Sequence, residues 1–382
     1  MFIPDNGDAY KVYEQKNAIQ KDSNLGHYFI SDEKFQELKG FEVLPNDIIV
    51  SCAGTIGETY IMPSDFRSGI INQALMIIRL HNIDITPFYL LYFDFILKNE
   101  AGKDGKGTAI KNIPPFDILK NYWIPLPPLA EQDRIIKEVA LWQRFIDSID
   151  GNIEDIFKLS KKTKSKILDL AISGKLVPQD PNEEPAIELL KRINPAFEPC
   201  DNSHYENLPE NWCLAKVKDV FFINPRNKAE DNTIAGFIPM TLIDDGYSNT
   251  FSYEKRKWGS IKTGFTHFAD GDVAVAKISP CLENRKSIVL RDLPNGIGAG
   301  TTELHVFRSS VVVPEYALYF FKSEYFISKC VGTFNGVVGQ QRVGKNIIEE
   351  IQIPIPPINE QTKIVSTIET IFTQLNTITA EL

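Results

Sequence analysis

A nine-residue motif occurs twice in the chain and constrains its fold more than any other feature. Ile124–Gln132 reads Ile-Pro-Leu-Pro-Pro-Leu-Ala-Glu-Gln, and Ile353–Gln361 reads Ile-Pro-Ile-Pro-Pro-Ile-Asn-Glu-Gln. The likeness extends upstream, where Pro87–Phe93 matches Pro314–Phe320. The two copies of the motif begin at residues 124 and 353, and this separation is far longer than the roughly 20–50 residues of a solenoid repeat. The chain is therefore a duplicated module, and each copy is a domain followed by a helix.

Both helices are expected to carry an apolar seam. Paired prolines before each helix suit a first helical turn, and apolar residues then recur at alternating spacings of four and three, as in a coiled coil. The seam residues of the first helix are Ile135, Val139, Trp142, Ile146, Ile149 and Ile153, and those of the second are Ile364, Ile368, Ile371 and Leu375. Either the two helices pack on each other, or each packs on its own domain.

The pattern predicts an α+β protein with two similar mixed α/β domains. Short β-rich runs such as 47–51 and 272–278 are broken by Gly, Pro and Asn, and amphipathic helices are expected over 88–98 and 315–323. The predicted segments are a first domain, a central helix with a linker, a second domain and a C-terminal helix, at 1–123, 124–200, 201–352 and 353–382.

Composition excludes several classes of protein. The 382 residues are 43% hydrophobic and 24% charged, which is ordinary for a globular chain. No apolar run approaches the roughly 18 residues of a membrane span. The five cysteines form no Cys-x-x-Cys pair and the histidines show no metal-ligand spacing, so no zinc site is expected. The cysteine pattern also shows no disulfide framework, so a cytoplasmic location is expected. The net charge of −9 gives no hint of nucleic acid.

Two further segments, together with the repeated motif, carry a family resemblance. They are Ile172–Pro185, which includes a proline-rich acidic linker, and Leu208–Trp212, which opens the second domain. The order and duplication of these motifs resemble the specificity (S) subunit of a bacterial Type I restriction–modification system over nearly the whole chain.

The resemblance implies how such a chain works. Two target recognition domains would each read one half of a split sequence in double-stranded DNA. The helices would form an antiparallel coiled coil that sets the spacing and docks two modification (methyltransferase) subunits, which restriction subunits join later. The chain itself would be no enzyme and would hold no cofactor, because S-adenosylmethionine belongs to the partner subunit.

DNA contacts are expected in three loops of the second domain. Base edges are read by forked amides and guanidinium groups, and phosphates attract cations and hydroxyls. The loops lie at 277–286, 298–302 and 335–342, and the candidate residues are Lys277, Ser279, Asn284, Arg285, Lys286, Thr301, Thr302, Gln340, Gln341 and Arg342.

The first domain has candidates at matching positions. Its small-residue loop 51–57 allows a close backbone approach, and a Gly-rich loop at 103–111 carries three lysines. The candidates are Ser51, Thr55, Asn72, Gln73, Lys103, Lys106, Thr108 and Lys111.

Two enzymatic readings fail on particular residues. In Lys111–Phe116 an isoleucine precedes the prolines where an amino-methyltransferase needs Asp or Asn to hold its target amine. Gly339–Asn346 has the glycine spacing of a phosphate-binding loop, but Asn346 replaces the Ser or Thr that should hold magnesium.

A third reading stays open. The counterpart of Leu208–Trp212 in the first copy would fall before residue 1, and the second helix stops before any counterpart of Ile172–Pro185. The first domain is thus expected to be N-terminally short and the second helix short. The alternative function is a truncated specificity subunit that serves as a scaffold or reads only one half-site.

Overall fold

The computed structural model describes residues 2–53, 55–103, 116–201, 208–333 and 341–382. The chain divides into two compact units, residues 1–150 and residues 151–382. The longest helix, Leu129–Ile172, runs across this division. None of the described helices is both long and apolar enough to cross a membrane.

The described residues of the first unit form two small sheets and several helices. Strand β1 pairs antiparallel with β2 and parallel with β5, whereas β3 pairs antiparallel with both β4 and β6. All four residues of β3 are buried, and apolar clusters cover both faces of the strand, with Ile49 in one cluster and Ile48 and Val50 in another. The elements are β1 (Tyr10–Tyr13), α1 (Gln15–Gln20), β2 (Phe29–Ile30), α2 (Asp32–Glu37), β3 (Ile48–Ser51), β4 (Thr59–Ile61), β5 (Gly69–Ile71), β6 (Leu75–Ile78), α3 (Thr86–Lys103), α4 (Phe116–Leu119) and the first part of α5 (Leu129–Ile172).

The second unit repeats this plan and extends it. Its parallel pair β9–β14 corresponds to β1–β5, and its antiparallel pair β12–β15 corresponds to β3–β6. The elements after α5 are α6 (Ala186–Ile193), β7 (Cys213–Lys216), α7 (Val217–Val220), β8 (Phe222–Ile223), β9 (Ile234–Ile238), β10 (Glu254–Lys257), α8 (Trp258–Ile261), β11 (Thr266–Ala269), β12 (Val273–Ala276), β13 (Ser287–Val289), β14 (Ile297–Gly300), β15 (Leu304–Arg308), α9 (Pro314–Phe321), α10 (Glu324–Val331), α11 (Lys345–Glu350), β16 (Gln352–Ile355) and α12 (Ile358–Ala380).

The predicted mixed α/β class and the duplication are confirmed. The strands predicted near 47–51 and 272–278 are β3 and β12, and helices form at both predicted places, as α3 and α9. The amphipathic prediction is wrong for α3, because its apolar residues are spread around the helix, and α9 is buried from Tyr316 to Phe321. The first long helix, α5, runs from Leu129 to Ile172 and contains all six predicted seam residues. The compact units divide the chain within α5, whereas the sequence pattern set the helices apart as segments of their own.

The end of α5 and the start of α12 lie together in the second unit, with opposite directions. Lys164, before the end of α5, donates a hydrogen bond to Asn376 near the end of α12 (2.6 Å). Gln179, after the end of α5, donates to Glu360 in the first turn of α12 (2.7 Å). Since later residues of one segment contact earlier residues of the other, the end of α5 and α12 run antiparallel here.

The seam residues have different environments along the helices. In α12, Ile364 and Ile368 are buried in the main core of the second unit, and Ile371 and Leu375 pack against it. That core also contains residues of α9, so α12 packs on its own domain as well as near α5. In α5, Ile135 and Ile153 are half-buried, and four seam residues are exposed: Val139, Trp142, Ile146 and Ile149.

Candidate nucleic-acid interface

Two of the three predicted loops of the second domain meet where β12 and β15 carry the chain to one end of their sheet. The backbone amide of Lys277, directly after β12, donates to the carbonyl of Glu303 (2.9 Å), and the amide of Val343 donates to the carbonyl of Lys277 (2.9 Å). The amide of Ser279 donates to the carbonyl of Gln341 (2.8 Å). Loop 277–286 is therefore joined to the segment before β15 and to the segment at 341–343.

A buried histidine fixes the last of these segments to the core. The His305 ring lies 3.2 Å from the carbonyl of Val343 and 3.3 Å from the side-chain amide of Asn224. Burial lowers the pKa of His305 to about 4, so the ring is neutral near pH 7. A neutral ring can donate through one nitrogen and accept through the other, which suits these two neighbours.

Arg342 lies on this surface with its guanidinium already engaged. Its Nε and Nη2 atoms donate to the two carboxylate oxygens of Glu303, at 2.8 and 2.9 Å. The hydrogen bond from Arg342 lowers the pKa of Glu303, so the carboxylate is charged at neutral pH. A guanidinium fork held in this way can read a guanine only after exchanging Glu303 for the base.

Arg285 and Lys286 hold the loop together from inside. Arg285 has a left-handed backbone (φ 60°), and its side chain is only 11% exposed. It donates to the carbonyl of Lys322 (3.0 Å) and to Glu324 (2.6 Å). Lys286 donates to the carbonyl of Ile243 (2.8 Å). These contacts give both residues a structural role and leave Arg285 little surface for a base.

Lys322 completes this internal arrangement. The side chain is fully buried, and its ammonium donates to the carbonyls of Gly246 (2.7 Å) and Arg285 (2.8 Å). Burial lowers the pKa of Lys322 to about 7. The lysine thus ties the turn at Gly246 to the end of loop 277–286.

Other predicted contacts point outward. Asn284 and Thr302 are exposed, and Lys277 and Gln341 are half-buried. Within the described part of the chain, no side-chain hydrogen bond involves any of these four residues. Ser279 is buried and donates to Glu283, and the Thr301 hydroxyl accepts from the amide of Glu303 (3.2 Å). Gln340 lies outside the described residues.

The first domain places its candidates in a similar frame. The amide of Cys52 donates to the carbonyl of Ala74 (2.9 Å), as that of Lys277 does to Glu303. Ser51 is buried and donates to the carbonyl of Thr55 (2.6 Å), and Asn72 accepts from the amide of Ala74 (3.0 Å).

The remaining candidates of the first domain fall into two groups. Thr55 and Gln73 are exposed and extend the matching surface. Lys103 ends α3, and its side chain is not described. Lys106, Thr108 and Lys111 lie outside the described residues.

Sequence reasoning missed the carboxylates that pair with the candidate cations. Glu303 pairs with Arg342, and Glu324 pairs with Arg285. Both glutamates are 39 positions from their partners, so no local spacing indicates either pair. Across the described residues, no cluster of His, Cys, Asp or Glu could hold a metal ion.

The comparisons with known proteins agree with this architecture. The family described as Type I restriction modification DNA specificity domain matches residues 5–150 and 209–382, one match in each half. The Type I restriction enzyme EcoEI specificity subunit of Escherichia coli is 41% identical over 226 residues, covering 54% of this chain and 38% of the relative. The MjaVIII specificity subunit of Methanocaldococcus jannaschii is 23% identical over 382 residues, covering 93% and 82%.

A solved structure supports the fold. The HsdS subunit from Thermoanaerobacter tengcongensis superposes with a TM-score of 0.53 at 15% identity, covering 98% of this chain and 85% of that chain. The chain spans under two fifths of the length of the Escherichia coli relative, yet the family match extends over most of both halves. The chain therefore belongs to the Type I restriction–modification DNA specificity family, with one domain of that family in each half.

Proposed function

We propose that the chain is the sequence-recognition subunit of a Type I restriction–modification complex, and that each domain reads one half of a bipartite site in double-stranded DNA. The observation that carries this proposal is the repeated loop frame. In both halves, a backbone hydrogen bond joins the residue after the central buried strand to the residue before the neighbouring strand. This loop frame consists of Cys52 and Ala74 beside β3 and β6, and of Lys277 and Glu303 beside β12 and β15. Two similar surfaces with different side chains suit two different half-sites.

The candidate side chains that are exposed or half-buried divide by chemistry. The amides of Asn284 and Gln341 can pair with an adenine edge, as can that of Gln73 in the first domain. Lys277, Thr55 and Thr302 suit phosphates, which position the protein without reading the sequence. Arg342 becomes a guanine reader when Glu303 is displaced.

The chemistry of methylation and cleavage belongs to partners. We assign this chain no catalytic role and no cofactor, and S-adenosylmethionine to the modification subunit. With a net charge of −9, the chain alone is expected to bind DNA weakly, and its partners are expected to supply most phosphate contacts.

The long helix is the proposed docking and spacing element. At about 1.5 Å per residue, the 44 residues of α5 span about 65 Å. The antiparallel run of its end beside α12 supports an antiparallel coiled coil. Its exposed seam, which includes Val139, Trp142 and Ile149, is the proposed docking surface for two modification subunits, which restriction subunits then join.

The test is to express the chain with its cognate modification subunit and map methylated adenines across a genome. A split asymmetric motif with one methylated adenine in each half is expected. A symmetric motif would mean that only one domain reads DNA. A stable complex without methylation would overturn the proposal in favour of the scaffold.

Two matched variants assign each half of the motif to a domain. Gln341→Ala is expected to relax the sequence specificity at one base pair of the half-site read by the second domain and to weaken DNA binding by roughly 1–3 kcal/mol. Gln73→Ala should do the same in the other half only. Each variant is the control for the other, and a change in both halves from either variant would contradict the assignment.

A further inference from the structure

The residues before the long helix are paired in one copy and not in the other. In the second copy, β16 pairs antiparallel with β7 over four residues. The corresponding residues 123–126 of the first copy form no β-bridge with any residue that the structure describes. Trp123 is 91% exposed and Leu126 is 59% exposed. The Trp123 carbonyl accepts from the Tyr92 hydroxyl (2.7 Å), but no described strand pairs with this extended segment of exposed apolar side chains.

A neighbouring strand shows the same difference. In the second copy, β15 pairs with β12 on one side and with β8 on the other. Its counterpart β6 pairs with β3 alone among the described strands. Strands β7 and β8 belong to one continuous segment, Trp212–Ile223, so a single piece of chain covers both edges in the second copy.

A cavity marks the space between these two edges in the first copy. Its volume is about 290 Å³, and its lining includes Ile78, Tyr89, Phe93, Leu119 and Ile124. The corresponding residues of the second copy, which include Tyr316, Phe320, Ile348 and Ile353, are buried in a continuous core.

Trp212–Ile223 fills the corresponding space in the second copy. Trp212, Val217 and Val220 belong to the same core. The Phe221 ring lies 5.8 Å from the ring of Phe307 and 5.7 Å from that of Phe321.

A glutamate at the start of each long helix completes the comparison. Glu360 is buried and accepts a hydrogen bond from the indole N–H of Trp212 (3.0 Å). Glu131 has the same place in the repeated motif, but its side chain is 44% exposed and its described ion pair is with Arg134. The first copy thus presents the carboxylate, the two strand edges and the apolar space, while its described residues include no segment that covers them.

We propose that this open face, made of β6, residues 123–126, the cavity and Glu131, binds an extended polypeptide segment with the chemistry of Trp212–Ile223. The occupant brings an indole N–H to Glu131, an antiparallel strand to residues 123–126 and apolar side chains to the cavity. Strand addition of this kind takes its affinity from main-chain hydrogen bonds and its specificity from side-chain pockets.

The charges of the occupant are also constrained. In the second copy, Lys216 and Lys218 of the segment both pair with Glu350 (2.6 and 2.5 Å). The residue at the position of Glu350 in the first copy is Asn121. An occupant of the open face therefore needs no lysines at these two places.

The test uses the full chain and a fluorescent synthetic peptide of residues 208–223 that carries Cys213→Ala and serine in place of both lysines. Saturable binding by anisotropy is expected. Trp212→Ala in the peptide should weaken it roughly tenfold, and Glu131→Gln in the protein should weaken it in the same direction. Hydrogen exchange should slow at 75–78 and 123–126, which places the peptide on the first copy.

A matched pair of protein variants checks the location. Leu126→Asp should abolish binding, whereas Ile83→Asp, also at an exposed apolar residue of the first unit, should leave it unchanged. No saturable binding, or equal binding of the Trp212→Ala peptide, overturns the proposal. It is also overturned if the chain sediments as a dimer that Leu126→Asp dissociates, because a second copy would then cover this face.

Discussion

The two copies share an internal ion pair and differ at their edges and loops. In the first, Asp47 binds Arg79 through two hydrogen bonds (2.7 and 2.6 Å) and accepts from the amide of Leu44. In the second, Asp272 binds Arg308 (2.7 and 2.8 Å) and accepts from the amide of Ala269. Both aspartates are about 1% exposed.

The difference between the copies indicates which parts of the module are free to change. The ion pair joins the central buried strand to its neighbour, β3 to β6 in the first copy and β12 to β15 in the second. The pair has the same geometry in both copies. Loop side chains that contact no other element can change without disturbing that frame. Divergence concentrated in such loops is what two readers of unlike half-sites require.

Removing the shared aspartate should have the largest effect on stability. Asp272→Ala takes the carboxylate from Arg308, which keeps only Asn227 as an acceptor, and it leaves the amide of Ala269 without one. Because Asp272 is buried and Arg308 is 36% exposed, the loss should cost about 3 kcal/mol. Asp47→Ala should cost less, about 2 kcal/mol, because the Arg79 side chain is 52% exposed and can reach water. Hydrogen exchange at β12 and β3 reports the two domains separately. Equal losses would show that the frames are equally buried.

The sequence predicted the frame better than the surface. The repeated motif and the β-rich runs located β3, β12 and both long helices, because burial and helical periodicity leave a local pattern. The roles of Arg285 and Arg342 could not be read in this way, because their partners Glu324 and Glu303 are distant in sequence. The cations in a loop indicate its charge towards DNA only when the carboxylates that pair with them are also known.

The two motif glutamates should respond very differently to substitution. Glu360→Ala removes the nearer of the two acceptors of the buried Trp212 indole, leaving Gln179 Oε1 at 3.2 Å, and it also removes an acceptor of the Gln179 amide. The expected cost is about 2 kcal/mol. Glu131→Ala should change the free energy of unfolding by less than about 0.5 kcal/mol, because that side chain is on the surface. Urea unfolding of both variants measures the contrast. A cost at Glu131 near that at Glu360 would refute it.

Acid should weaken the second domain more than the first. Burial holds the pKa of His305 at about 4, below the 6.5 of an exposed histidine, so the unfolded chain binds a proton that the folded chain does not. Stability is therefore lost as pH falls from about 6.5 towards 4, by about 2 kcal/mol between pH 7 and pH 5. The residue at this position in the first domain is Met76.

A variant isolates the histidine from the other titrating groups. His305→Met gives the second domain the residue of the first, and it should remove this part of the pH dependence. Hydrogen exchange of β15 at pH 7 and pH 5 measures the difference between the variant and the original chain. An unchanged pH dependence in the variant would assign the acid sensitivity to other groups.

The smallest expected effect concerns one cation that the first domain lacks. Lys277 holds the loop position that Cys52 holds in the first domain, and its half-buried side chain suits a phosphate. In the assembled modification complex, Lys277→Gln should weaken DNA binding by less than tenfold on every sequence, and it should lower the salt dependence by about one phosphate contact. Lys262→Gln is the matched control, because Lys262 already pairs with Asp231 (2.7 Å). Titrations of DNA binding at increasing salt separate the outcomes. If affinity falls on every sequence but its salt dependence is unchanged, Lys277 is a structural residue and not a phosphate contact. If affinity falls on one base sequence alone, Lys277 reads a base.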